Sequence, residues 1–184
     1  MTETRYSLMK IAILASIILL LGVINSSYAD TAKWEKEPDN FRGVTFGATE
    51  ADVIEIIPGL QCKDTKSGRS CYDPYYKIGE TITGCLLTFN EGKFNGVYIV
   101  FKTDDYNNIK SVFIDKYGEP MKSVDYDIKT RAGIKQENNK LLWHGDKLIV
   151  SLQKYCGDLH NGCSYYMQKS ALNRLPEEQG KRKR

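Results

Sequence analysis

The stretch Thr81–Thr103, TITGCLLTFNEGKFNGVYIVFKT, carries the clearest structural pattern in the chain. Apolar residues occupy every second position in both of its arms, which is the period of half-buried β-strands. Asn90-Glu91-Gly92 separates the arms, and a glycine at its third position suits a three-residue loop. The sequence therefore predicts a β-hairpin in which Leu87 lies opposite Asn95. The predicted core side of this hairpin consists of Cys85, Leu87, Phe89, Val97, Ile99 and Phe101.

Two amphipathic helices are predicted on either side of this hairpin. The first has Thr49 as its N-cap and Asp52 in its first turn, where a carboxylate faces the positive end of the helix, and Pro58-Gly59 ends it. The second begins with Asp104 as its cap and ends at Gly118. The apolar residues of the first helix, all expected to be buried, are Val53, Ile54, Ile56 and Ile57.

Strand patterns occupy most of the remaining domain, apart from residues 60–76, which the sequence indicates to be rich in loops. They lie at Phe41–Phe46, Lys122–Ile128, Ile134–Trp143, Lys147–Tyr155 and Ser164–Lys169. The predicted order is helix and then strands, twice, which suggests an internal repeat. Strands joined by tight turns pair antiparallel, and two helices can cover one face of such a sheet. We therefore predict an α+β fold, a two-layer antiparallel sheet with two helices on one face.

The two ends of the chain differ from the domain, which we place at residues 39–172. Residues 1–29 have the layout of a secretory signal peptide, because basic residues precede an apolar run and SYA forms a small-x-small cleavage site. An uncleaved membrane anchor is the alternative interpretation. We expect residues 30–38 to form a linker from which Trp34 docks onto the domain. Residues 173–184, which end in KRKR, are predicted to be a disordered basic tail.

Export into the periplasm or the medium changes how the five cysteines are interpreted, because disulfides form in oxidising compartments. The spacing favours two bridges, Cys62–Cys71 and Cys156–Cys163. Cys85 is then a buried free thiol, since it alternates with core residues. Its alternatives are a reactive thiol or a bridge to one cysteine of the first pair. For the second pair, the alternative to a disulfide is zinc binding by Cys156 and Cys163 together with His160, although structural zinc sites need four ligands at tight spacing.

Composition and motifs argue against several classes of function. The formal net charge of +3 is too small to indicate nucleic-acid binding. The only histidines, His144 and His160, fall in predicted turns or loops, and no nucleophile turn or phosphate-binding loop occurs in the sequence. We therefore expect no catalysis and no cofactor. The basic tail could make a weak contact with an anionic membrane surface.

Three motifs resemble those of a loose group of uncharacterised exported proteobacterial proteins: FRGVTFG at 41–47, FNEGKF at 89–94 and KYGEP at 116–120. Many members of that group have tryptophan where this chain has Phe46. More distantly, the helix-then-sheet order resembles the β-lactamase-inhibitor protein and the small lipoprotein of the outer-membrane barrel assembly machine. Both are binding modules, so this resemblance implies binding rather than catalysis.

The strand residues that alternate with the core are the main indication of function. Such positions must point away from the helices, and here they are too apolar for a face that meets only water. A segment of the chain around Trp34 could cover them, but we favour a partner, because contiguous exposed apolar area marks interaction surfaces. The candidate partner-binding residues are Leu86, Tyr98, Val100, Ile149 and Tyr155.

The function that follows is an exported periplasmic binding or adaptor module, inhibitor-like and without catalysis, with a protein partner in the cell envelope. The alternative is an envelope assembly or maintenance factor that follows the membrane or cell wall through its basic tail. An enzyme of unrecognised type is the third hypothesis.

The sequence after Leu172 loses apolar periodicity and contains Pro176, so we expect the fold to end near Leu172. Deleting residues 175–184 should leave the melting temperature almost unchanged. A decrease of several degrees, about 1 kcal/mol or more in a domain of this size, would show that the tail docks.

Overall fold

A computed structural model describes residues 33–65, 68–129, 133 and 135–172. The predicted signal peptide and basic tail lie outside the described residues. The described part belongs to one structural unit and has the predicted α+β fold with a large antiparallel sheet. Three helices occur, namely α1 (Glu50–Ile56), α2 (Tyr106–Tyr117) and the short α3 (Lys169–Leu172).

Ten strands accompany these helices. Along the chain they are β1 (Asn40–Phe41), β2 (Val44–Thr45), β3 (Gln61–Thr65), β4 (Gly68–Ile78), β5 (Thr81–Asn90), β6 (Lys93–Lys102), β7 (Lys122–Lys129), β8 (Lys135–His144), β9 (Leu148–Gln153) and β10 (Asn161–Gln168). The first two form a small hairpin, and the other eight form one sheet in the order β3-β4-β5-β6-β10-β9-β8-β7. Every pairing in this sheet is antiparallel.

The sheet consists of two halves that have the same order of secondary-structure elements. In each half one helix precedes four strands that pair in chain order: α1 precedes β3 to β6, and α2 precedes β7 to β10. The halves meet where their last strands, β6 and β10, pair with each other. The predicted order of helix and then strands, twice, is therefore confirmed.

The hairpin of β5 and β6 exists, but its predicted register is wrong by two residues. Leu87 lies opposite Val97, not opposite Asn95. The loop has only two residues, Glu91 and Gly92, both with positive φ, as a type I′ turn requires. A bulge at Asn95 then adds one residue to β6. An even shift preserves the faces, so the predicted core residues of both arms are all buried.

Three further expectations are corrected by the structure. The stretch 60–76 is not loop-rich, because β3 and most of β4 occupy it. Ile54 and Ile56 are exposed, because α1 has only seven residues and only the side that carries Val53 packs against the core. No side-chain capping hydrogen bond forms at the start of the 3₁₀ turn Thr103–Asp105 or at the start of α2. The prediction that Asp104 caps this helix is therefore wrong.

The start of α1 and the core follow the sequence closely. Thr49 and Asp52 form a reciprocal capping box, which satisfies backbone N–H groups at the start of the helix. Both α1 and α2 pack on the same face of the sheet. The largest fully buried side chains there include Phe94, Phe113 and Trp143.

The segment predicted as a linker is bound to the domain in its described part. Trp34 is buried, and its indole N–H donates to the carbonyl oxygen of Tyr117 at 2.8 Å. Trp143, the other tryptophan of the chain, donates in the same way to Gly118 at 2.9 Å. The two indoles thus satisfy carbonyls at the end of α2, which have no partner within the helix.

Glu37 fixes the same segment to the turn between β8 and β9. Its carboxylate accepts hydrogen bonds of 2.6–2.7 Å from the backbone N–H groups of Asp146, Lys147 and Leu148. A Cβ at Gly145 would overlap this carboxylate. Burial by itself would raise the pKa of Glu37, but the three N–H donors and Lys169 lower it below its ordinary value.

Among the residues that the structure describes, each helix is too short or too polar to cross a membrane.

We expect Glu37→Gln to lower the free energy of unfolding by about 1 kcal/mol at pH 7, because the three N–H groups lose a charged acceptor. The folded-state pKa is lowered, so this stabilisation is complete above the ordinary glutamate pKa of about 4.3 and is lost as the pH falls through the lowered value. Urea unfolding of wild type and variant from pH 7 to pH 3 measures it. Glu35→Gln, an exposed neighbour, is the control, and equal effects of both substitutions would contradict the assigned role of Glu37.

Candidate interaction surface

The face of the sheet opposite α1 and α2, called the open face below, has a continuous row of side chains across its middle. Successive strand pairings place one residue beside the next, from β4 at one side to β8 at the other. The row is Tyr72, Leu86, Tyr98, Tyr165, Ser151 and Leu142. Five of its six members are aromatic or aliphatic, although neither α1 nor α2, the longest helices in the described residues, packs over them.

Tyr98 and Tyr165 form the centre of this row. They are direct partners in the β6–β10 pairing, where the two halves of the sheet meet. Their rings stack with centroids 4.5 Å apart and an interplanar angle of 29°. Burial, together with Tyr165, raises the pKa of the Tyr98 phenol to about 12, so Tyr98 is neutral at physiological pH.

Exposed apolar side chains are concentrated on this face. The described residues include nine large apolar side chains that are exposed, and five of them belong to the open face. These five are Tyr72, Ile82, Val100, Tyr126 and Tyr165. The exposed fraction is 40% for Tyr165 and 63% for Ile82, so both offer area that a ligand could bury.

Two glycines shape the surface on either side of Tyr98. The ring of Tyr72 lies over Gly84, where a Cβ would overlap it. Gly96 lies at a cavity of about 220 Å³, whose walls include Tyr98, Tyr165 and Ala171 of α3. The lining of this cavity is mainly apolar, with Thr88 and Asn95 as its polar members. It can therefore accept an apolar side chain.

A second and larger cavity, of about 680 Å³, lies on the open face between the outer strands and the loop closed by Cys156 and Cys163. Tyr155 and Gln153 line it. The buried Asn138 holds its floor, because its amide exchanges two hydrogen bonds of 3.0 Å with the backbone of Tyr155. The side-chain amide of Gln153 also donates to the Tyr155 carbonyl, so these three residues of the cavity are hydrogen-bonded to one another.

The disulfides are the two pairs that the sequence spacing favoured. Cys62 and Cys71 are direct partners in the β3–β4 pairing, with Cα atoms 3.9 Å apart. Cys156 and Cys163 close the loop before and at the start of β10, with Cα atoms 5.8 Å apart. The one cluster in the described residues that resembles a metal site is Glu50 with the first pair, whose sulfurs are consumed by the bridge.

Cys85, the remaining cysteine, is free and buried. Burial raises the pKa of its thiol to about 12, with Asp73 adding to the effect. The thiolate is the nucleophilic form, so this thiol is unreactive at neutral pH.

The structure brings together only part of the predicted partner-binding set. Leu86, Tyr98 and Val100 lie side by side at the centre of the open face. Ile149 lies two strands away from Tyr98's strand, beside Met167. Tyr155 lies beyond the end of β9 and lines the larger cavity instead. Trp34 packs on Tyr117, with ring centroids 5.9 Å apart, and therefore does not cover Tyr98.

Three contributors to this surface, Tyr72, Ile82 and Tyr165, are not in the predicted partner-binding set, although Ile82 alternates with core positions of β5 in the sequence. Tyr165 alternates with Tyr166 within β10, and this alternation marks it as the exposed member of the pair. Its place beside Tyr98 follows only from the pairing of β10 with β6, which joins residues more than sixty positions apart.

No protein-family model, curated protein or solved structure matches this chain. The resemblance to exported proteobacterial proteins and to inhibitor-like binding modules stays a prediction.

A double-mutant cycle tests the contact between Tyr72 and Gly84. Gly84→Ala should lower the free energy of unfolding by about 1 kcal/mol, because the new methyl group displaces the tyrosine ring. In a Tyr72→Ala background the same substitution should raise it by about 0.5 kcal/mol, since alanine restricts the unfolded chain more than glycine does. Urea unfolding measures both. Effects of the same sign in the two backgrounds would show that the ring does not lie over Gly84.

Proposed function

We propose that this protein is an exported binding module that holds a protein partner against the open face, with Tyr98 and Tyr165 as the central anchors. The observation that carries the proposal is the stacked tyrosine pair at the centre of an apolar row, of which Tyr72 and Tyr165 are the exposed members. Tyrosines suit this role because they bury a large area while only two torsion angles become fixed. Hot-spot residues of interfaces cluster in this way near the centre.

The shape of the surface supports a protein partner. Tyr98 and Tyr165 stand between the Tyr72 ring on one side and the Gly96 cavity on the other, so the surface has both raised and recessed apolar parts. Side chains of a folded partner can interdigitate with such relief. In the part of the chain that the structure describes, α1 and α2 pack on the opposite face, which leaves the open face for a partner.

Two disulfides support an exported location, because such bridges persist in oxidising compartments. Burial raises the pKa of Cys85 to about 12, which argues against nucleophilic catalysis by this thiol at neutral pH. The partner is expected in the cell envelope, where the predicted signal peptide would deliver the protein.

Affinity capture with defined variants tests the proposal. Wild-type protein is immobilised with its disulfides intact and exposed to an envelope extract, and the retained protein is identified. Tyr98→Ser and Tyr165→Ser should each weaken its retention roughly tenfold or more, because each removes a central aromatic anchor. Circular dichroism and the melting temperature check that the fold is kept.

Tyr75→Ser is the matched control, because Tyr75 is 80% exposed but lies in the irregular part of β4, away from the central row. It should leave retention unchanged. Equal retention by Tyr98→Ser, Tyr165→Ser and Tyr75→Ser would refute the open face as the binding surface.

A further inference from the structure

The charges on the open face all have one sign at the strand positions. Five lysines occupy open-face positions within the described strands, apart from Lys93 at the start of β6, whose charge acts on Asp52 of α1. These lysines are Lys63, Lys77, Lys102, Lys122 and Lys140. They border the apolar row on several sides. The ion pairs in the described residues involve Lys33, Arg42, Arg69 and Lys135, and none of these five.

The acidic residues of the outer strands point the other way. Asp125, Asp127 and Glu137 occupy alternate positions of β7 and β8 and so lie on the side of the helices. Asp158, in the loop before β10, lines the larger cavity of the open face, and its charge contributes to the raised pKa of Tyr98. Its oxygens already accept the backbone N–H groups of His160 and Asn161 and the Asn161 amide. In the described strands the positions that face the open side therefore carry lysines and no carboxylate, and the acidic residues near this face lie in its flanking turns and loops, with Glu80 and Asp105 lining the same cavity as Lys102.

We infer that the partner is an acidic protein surface that places an apolar side chain in the Gly96 cavity while its carboxylates meet these lysines. This inference rests on the proposed function of the open face and adds the chemistry of the partner. Complementary charge at the rim of an interface speeds encounter and excludes wrong partners, while the apolar centre holds the complex. The Gly96 cavity, about 220 Å³ and walled by Tyr98 and Tyr165, is the recess nearest that centre.

Other occupants fit these observations less well. A second copy of the chain would bring two lysine-bearing faces together, and like charges in contact oppose association. The chain's own residues 173–184 carry five basic and two acidic residues, the same sign as the face. An anionic lipid surface would meet the lysines, but membrane insertion uses protruding apolar side chains. Here the most exposed apolar residue of the face, Ile82, lies near the start of β5 at its border, while Tyr98 and Leu86 near the centre are only half-exposed.

Synthetic peptides test the inference directly. A peptide with a central phenylalanine flanked by glutamates is labelled and titrated with the intact protein, and fluorescence anisotropy reports binding. Peptides with glutamine or lysine flanks are the matched probes. We expect binding of the glutamate peptide at least roughly tenfold tighter than of the glutamine peptide, with affinity falling as NaCl rises from about 0.05 M to about 0.3 M. No binding of the glutamate peptide, or equal binding of all three, would overturn the inference.

Charge-reversal variants locate the effect. Lys102→Glu combined with Lys140→Glu should weaken binding of the glutamate peptide roughly tenfold, because both lysines face the open side. Lys110→Glu, on α2 at the opposite face, is the control and should change it little. Equal effects of the control and the double variant would contradict the inference. Binding to phosphatidylglycerol vesicles with no peptide binding, or dimerisation through the tyrosines, would also overturn it.

The two proposals can fail separately. If Tyr98→Ser and Tyr165→Ser leave capture of the envelope partner intact, the open face is not the binding surface and both proposals fail. If those variants abolish capture but Lys102→Glu with Lys140→Glu does not weaken it, the binding surface stands and the acidic class of partner is wrong.

Discussion

The antiparallel pairing of β6 with β10 is the constraint on which the rest of the structure depends. It joins two units, each a helix followed by four strands, into one sheet of eight. The same register sets both faces at once. On one side it places Ile99 beside Ser164 under the helices, and on the other it places Tyr98 beside Tyr165. Without this pairing each half would expose its last strand as an edge, with unpaired backbone groups that invite association.

In the described residues the two longer helices, α1 and α2, cover the same face of the sheet, and this asymmetry connects the fold to the proposed function. Ile109 and Phe113 of α2 pack with Trp143 of β8 in the core. The described N-terminal segment adds to the same side, where Trp34 packs on Tyr117. The open face keeps its apolar row accessible in the described structure. Exposed apolar area gives no folding stability, so a binding role is its simplest physical explanation.

Local pattern predicted most of the fold but missed the details that depend on turn geometry. Period-two alternation identified the core residues of β5 and β6, since each pattern refers only to neighbours along the chain. The register was wrong because a two-residue loop at Glu91-Gly92 and a bulge at Asn95 replaced the expected three-residue loop. The stretch 60–76 was misjudged because its polar residues suit an edge strand next to a disulfide as well as a loop.

The sequence by itself determined the fold class, the two faces of the central strands, the N-cap Thr49 of α1 and the favoured cysteine pairs, because each depends on spacing within a short segment. Only the tertiary structure decided which strands are neighbours. It placed Tyr165 beside Tyr98, moved Tyr155 to a separate cavity and bound Glu37 to the turn after β8. These contacts join residues far apart in the chain, and local periodicity carries no information about which distant strands pair.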